Sequence, residues 1–176
     1  MKRLLIVFIS FFSLCLYAQE PVVKEHLKIM GTPIEGSIEE MCSKLIKARD
    51  LEDLHKDPNY PDAKANRLKG DFWQFNNCNI DVIKYNSNEE VGCVIVNRFN
   101  YAQVRKLVSD LINTYTDKYG TPSRTQDSWY LRYEWILDNG IISIKIGERT
   151  DVFSIIYSDY TECGDKLNKA KPADDL

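Results

Sequence analysis

Two spacings of apolar residues alternate along this chain. Ile38, Met41, Cys42, Leu45 and Ile46 recur at three- and four-residue intervals, which puts them on one face of a helix. Ser37 opens that run, and Glu40 follows three residues later. The pair predicts a capping box: the serine hydroxyl accepts from the Glu40 amide, and the glutamate reaches back to the serine amide. Val104, Leu107, Val108, Leu111, Ile112, Tyr115 and Tyr119 form a longer stripe of the same kind. It predicts a helix that opens at Asn100 and stops at Gly120, with Pro122 just beyond.

The other spacing is the strand period of two. After each predicted helix comes an extended run, Leu68 to Phe75 in one case and Trp129 to Leu137 in the other. Each run leads into a two-stranded segment split by a polar turn, Asn86–Glu90 in Ile80–Ile95 and Gly147–Asp151 in Ile141–Ile156. Shifted by 61 residues, these two segments align without a gap, Ile80 on Ile141, Lys84 on Lys145, Val94 on Ile155. A matched order of elements is the mark of an internal repeat. The expected fold is α+β: a tandem repeat of one helix plus three antiparallel strands, forming one antiparallel sheet with both helices packed on one face. The repeats span about 24–99 and 100–160 within a single domain, 19–164. His26 to Ile34 adds a short leading strand, and His55 to Asn66, with two prolines, is irregular.

Alternation also sorts strand residues into faces. Ile83, Val91, Cys93 and Ile95 with Ile142, Ile144, Ile146, Val152 and Ile156 make the more apolar set, expected under the helices. Asp81, Tyr85 and Ser154 fall in the same set. Lys84, Val94, Val96, Lys145, Phe153 and Tyr157 fall in the opposite, mixed set. A single-layer sheet leaves that face to water unless a loop or terminus covers it, and exposed apolar patches mark contact surfaces. Those six are the candidate binding residues. Trp129, Leu131, Tyr133, Trp135 and Leu137 share one side of their strand and are expected in the core.

The start of the chain changes where this domain is expected to act. Lys2 and Arg3 precede an apolar run, Leu4 to Leu16, which turns polar after Ala18. That order reads as a cleaved secretory signal peptide, residues 1–18, and hence a periplasmic or secreted protein. The run is shorter than the roughly 20 residues that span a bilayer, so no stable membrane insertion is expected after cleavage. Leu14 before Cys15 fits a lipidation box poorly. Residues 165–176 lack an apolar period and read as a flexible tail. The net charge of −3 gives no basic face for nucleic acid. Four cysteines follow the leader, Cys42, Cys78, Cys93 and Cys163; the pairs Cys42–Cys93 and Cys78–Cys163, or buried free thiols, are both compatible with the pattern.

Catalytic signals are missing. His26 and His55 stand far apart, and no GxSxG, Walker, GxGxxG or HExxH pattern occurs. The acidic loop around His55 lacks EF-hand spacing. No catalytic residue, metal ligand or cofactor is assigned, and the chain does not read as an enzyme.

Met30 to Glu40 (MGTPIEGSIEE) and Lys118 to Pro122 (KYGTP) resemble a group of small secreted bacterial proteins without an assigned function. The likeness spans most of the chain after the leader, but its motifs are a turn, a cap and a helix stop, so it implies no catalytic residues. The doubled helix-plus-sheet plan resembles the β-lactamase inhibitory protein-like fold, and more loosely the small lipoprotein of the outer-membrane barrel-assembly machine. The first resemblance implies binding through an aromatic-rich sheet face; the chain has no matching inhibitor motif. The expected function is non-catalytic recognition of a protein or other envelope component. A structural envelope protein without a discrete ligand, and an enzyme whose site is assembled from scattered residues, are the alternatives.

Overall fold

A computed structural model describes residues 25–54, 65–84, 90–147 and 149–161. The expected leader, the loop around His55, most of the first hairpin turn with Tyr85, Cys163 and the expected tail lie outside the described residues. Strands β1 (Lys28–Ile29) and β2 (Thr32–Pro33) form a small hairpin, followed by helix α1 (Ile38–Arg49) and strands β3 (Glu52–Asp53), β4 (Ala65–Phe72), β5 (Phe75–Lys84) and β6 (Val91–Phe99). Helix α2 (Tyr101–Tyr119) then leads into β7 (Ser123–Gln126), β8 (Leu131–Leu137), β9 (Gly140–Gly147) and β10 (Val152–Asp159).

The fold is α+β, with two helices and one main antiparallel sheet of eight strands, ordered β3-β4-β5-β6-β10-β9-β8-β7. Each helix is followed by four strands, so the expected three-strand unit is corrected. The extra strands are the two sheet edges. β3 is only two residues long, and β7 (SRTQ) is exposed throughout. An edge strand wet on both faces carries no apolar alternation, and short or polar edges discourage pairing with other chains. At the centre of the sheet β6 pairs with β10, from Cys93 opposite Ser158 to Phe99 opposite Val152.

Both helices form for the reasons written in their sequences. The capping box of α1 is present, Glu40 N–H donating to Ser37 Oγ at 3.2 Å and Ser37 N–H to Glu40 Oε2 at 3.0 Å. Met41 and Leu45 are fully buried on its inner face. Asn100 precedes α2 but offers no side-chain cap. Instead Asp151, in the β9–β10 turn, accepts Ala102 N–H on its carboxylate at 2.8 Å and Tyr101 N–H on its carbonyl at 3.1 Å. Gly120 closes α2, its N–H donating to Thr116 O.

The core lies on the side opposite to the one expected for β5, β6 and β10. Ile80, Val82, Val94, Val96, Ile142, Ile144, Phe153 and Ile155 are fully buried, whereas Ile83, Cys93, Ile95, Val152, Ser154 and Ile156 are only partly buried. Ile142, Ile144, Ile146 and Val91 are buried as expected. Turn length produced the conflict. Gly147 pairs with Val152 and Ile146 with Phe153, so the second turn is one residue shorter than the sequence suggested. A one-residue slip reverses every face assignment between two strands. In the first hairpin Ile80 pairs with Val96 and Val82 with Val94, so the two hairpins superpose only with a one-residue gap between their strands.

Candidate functional site

Four of the six candidate binding residues are interior. Val94, Val96 and Phe153 have no exposed surface and Tyr157 has 4 %, so this part of the expected site is corrected. Over Phe153 and Tyr157 lies the tip of the β4–β5 hairpin. Its pairing shifts register between Gly70 and Phe72, and Asn77 takes a left-handed backbone (φ 62°) while its N–H donates to Asp71 Oδ1. Irregularities of this kind bend a strand pair. The ring of Phe72 lies 6.3 Å from that of Tyr157, and Phe75 4.7 Å from Phe153. The hairpin therefore rests on the side chains that the sequence reading left open. Lys84 ends β5 at a register shift, opposite Val91, and is partly buried. Of the six, Lys145 alone stands clearly on the face turned away from the helices, its ammonium 3.8 Å from the centre of the Tyr130 ring.

That outer face has its own order. Arg67 pairs with Asp81 (Nε to Oδ1, 2.6 Å), Asn97 donates to Asp81 Oδ2 at 3.1 Å, and Ser154 Oγ donates to Asn97 Oδ1 at 2.6 Å. The chain of bonds crosses β4, β5, β6 and β10 and so ties the two halves together. On β9 and β8, Ser143 Oγ donates to Glu134 Oε1 at 3.1 Å. Beside these groups runs an apolar strip. Ile95 faces Ile156 across the central seam, Ile83 faces Cys93, and Ile141 faces Ile136. Ile136 is 77 % exposed and Phe99, at the other end of the same face, 54 %. Nothing among the described residues packs over this strip as α1, α2 and the hairpin tip pack over the core.

A second feature opens on the helix side. A groove of about 950 Å³ lies among the β1–β2 turn, the end of α1, the β4–β5 tip, the last turns of α2 and the β8–β9 turn. Tyr115 and Tyr157 line its base and hydrogen-bond to each other through their hydroxyls. Burial pushes both phenols up, Tyr115 to about 12 and Tyr157 well above the ordinary value. Trp73, 41 % exposed, and Tyr119 line its sides. Arg49 and Lys118 reach it from the last turns of α1 and α2.

The chain matches no protein-family model, no curated protein and no solved structure.

His26 sits at the wall between this groove and a smaller pocket that also holds Glu35, Glu40 and Lys44. Its Nδ1 is 3.4 Å from Asp159 Oδ1 and its Nε2 3.9 Å from Glu35 Oε2. The buried Asp159 carboxylate accepts Leu27 N–H and Thr161 N–H, which fastens the β1–β2 hairpin to the end of β10. Glu35 is held below the usual carboxylate range by its hydrogen bond to Lys44 at 3.0 Å. No serine, threonine or cysteine is among the described residues lining the groove. Among the described residues no cluster of histidine, cysteine and carboxylate groups could hold a metal ion, and no helix is long and apolar enough to cross a membrane.

Cys42, Cys78 and Cys93 are free thiols. Cys42 lies under α1 in the core, whereas Cys93 lies on the outer face opposite Ile83, so the two point to opposite sides of the sheet and the Cys42–Cys93 pairing is corrected. Burial pushes the Cys78 thiol up to about 11. The sequence reading missed the groove altogether, because its lining comes from six separate stretches. The one local signal was Trp73, an exposed aromatic in a two-residue turn between Phe72 and Phe75.

Proposed function

We propose that this chain is a non-catalytic binding module of the cell envelope that recognises a protein partner through the sheet face turned away from the helices. The observation that carries the reading is the apolar strip of Ile83, Ile95, Ile156, Ile141 and Ile136, partly or largely exposed beside a fixed row of hydrogen-bonded polar side chains. A contiguous apolar patch rimmed by polar groups is what protein contact surfaces have in common. The polar row supports a protein rather than a lipid partner: its donors and acceptors are spaced by the strands and tied in place, which favours a partner with matching fixed groups. The sheet edges are short or polar, so recognition by the face is favoured over addition of a strand at an edge.

The test is site-specific photocrosslinking in the envelope. A benzophenone side chain replaces Ile136 or Phe99 on the sheet face, and Lys47 or Lys106 on the exposed sides of the helices. The same discrete protein adduct from both sheet-face positions and from neither helix position is the expected result. An adduct of twice the chain's own mass makes the partner a second copy. No adduct, or the same adducts from all positions, overturns the reading.

A further inference from the structure

We infer that the groove between the helix ends is a ligand site of its own, meeting the sheet face only at Ile136, and that it takes an anionic saccharide. Its volume of about 950 Å³ lies within the ~300–1,000 Å³ of small-molecule sites. Four properties of the wall fix the ligand's chemistry.

The first is Trp73. It occupies the first central position of a two-residue hairpin turn with φ 53°, a position where glycine is the favoured residue. A bulky side chain held in the left-handed region costs of order 1 kcal/mol or more, so glycine would serve the turn better. The indole packs against Phe75, with ring centres 5.4 Å apart and planes 49° apart, while Trp73 as a whole stays 41 % exposed and lines the groove. That is a fixed apolar platform, suited to the C–H face of a sugar ring.

The second is charge. Lys28 is neutralised by Glu25 at 3.0 Å. Arg49 and Lys118 make no ion pair with a described residue, and both line the groove. With Lys28, Arg49 and Lys118 set against Glu25 and Asp138, the wall carries a net positive charge, which complements a carboxylate or phosphate.

The third is the floor. Two phenol hydroxyls bonded to each other use one proton between them, and each hydroxyl has one proton to give. The second proton has no described protein acceptor. A ligand hydroxyl supplies one, and a buried donor left without an acceptor costs about 1–3 kcal/mol. The fourth is the mixed character of the wall, to which Asp138 and the rings of Tyr119 and Phe72 all contribute. A flat aromatic ligand has no use for so many polar groups, whereas a saccharide presents ring faces and hydroxyls in alternation.

The experiment is titration calorimetry on the purified protein. The probes are glucuronic acid, glucose 6-phosphate, neutral glucose and a tetrasaccharide of uronic acids. Expected is saturable binding of the acidic sugars at least about tenfold tighter than glucose. Trp73→Gly is expected to weaken it by about tenfold or more while leaving the melting temperature unchanged or raised, because the turn is relieved of strain. Arg49→Gln with Lys118→Gln is expected to remove the preference for charge and leave the fold intact. Tighter binding of the tetrasaccharide than of glucuronic acid points to a polymeric glycan as the source, and equal binding to a free sugar acid. No saturable binding, equal affinity for glucose, or a Trp73→Gly protein that binds as well as the original overturns the inference.

Discussion

Replacing Phe153 by alanine separates the two ways of assigning the sheet faces. The ring is fully buried on β10, 4.7 Å from Phe75 and beneath the bent tip of the β4–β5 hairpin. Deleting it removes a large apolar side chain and leaves a cavity that Phe75 cannot fill, since Phe75 is held in its own strand beside Phe72. Such substitutions cost about 3–5 kcal/mol, against a total stability of roughly 5–15 kcal/mol for a domain. At about 2–4 °C per kcal/mol for a chain of this size, the melting temperature falls by roughly 6–20 °C. The control is Ile136→Ala, whose side chain is 77 % exposed and whose loss should stay within about 0.5 kcal/mol. Urea unfolding followed by far-ultraviolet circular dichroism reads both. A Phe153→Ala protein as stable as Ile136→Ala would mean that Phe153 faces water and that the face assignment is wrong.

Three further outcomes follow from groups described above. The phenols of Tyr115 and Tyr157 are raised, so the unfolded chain releases their protons first. Their contribution is whole below pH ~10 and declines as pH rises through the folded values, so absorbance at 295 nm should show two tyrosines titrating late and stability falling above pH ~10. Asp151→Ala removes the only side-chain acceptor described at the start of α2 and should cost about 1–2 kcal/mol in urea unfolding, with Asp151→Asn costing less; equal costs would assign the effect to charge alone. Cys78, buried and with its thiol raised to about 11, should react with a thiol reagent at pH 8 at least about a hundredfold more slowly than in the unfolded chain. Fast labelling in the native state would show that β5 opens locally.

Local features were legible in the sequence, and cooperative ones were not. The capping box at Ser37 and Glu40, the stripe of α2 and the stop at Gly120 each depend on residues close together, and all are present. The faces depended on weighing one set of aliphatic residues against another of almost equal hydrophobicity, Ile83, Ile95 and Ile156 against Val82, Val94 and Ile155. Asp81 was the better guide. A carboxylate in mid-strand with Arg67 opposite marks the wet side, because burying it among aliphatic groups costs far more than exposing an isoleucine. The edge strands escaped notice because β3 and β7 carry no apolar alternation. The groove escaped because no single segment encodes it: Arg49, Trp73, Lys118 and Asp138 meet only once the sheet and both helices are in place.

The seam between β6 and β10 also governs the order in which the chain folds. Every other pairing in the main sheet joins strands adjacent in sequence, whereas the seam joins Cys93 to Ser158 and Phe99 to Val152 with α2 and three strands in between. Hairpins close within about 1–10 μs, and a long-range pairing waits for its loop to close. Until it does, β6 and β10 are bare edges carrying isoleucine and valine on both sides, ready to accept any strand of the right register. In a concentrated refolding mixture the nearest such strand belongs to another molecule. The β10 of one copy then completes the sheet of the next, and domain-swapped dimers should accumulate in proportion to the protein concentration at the moment of folding.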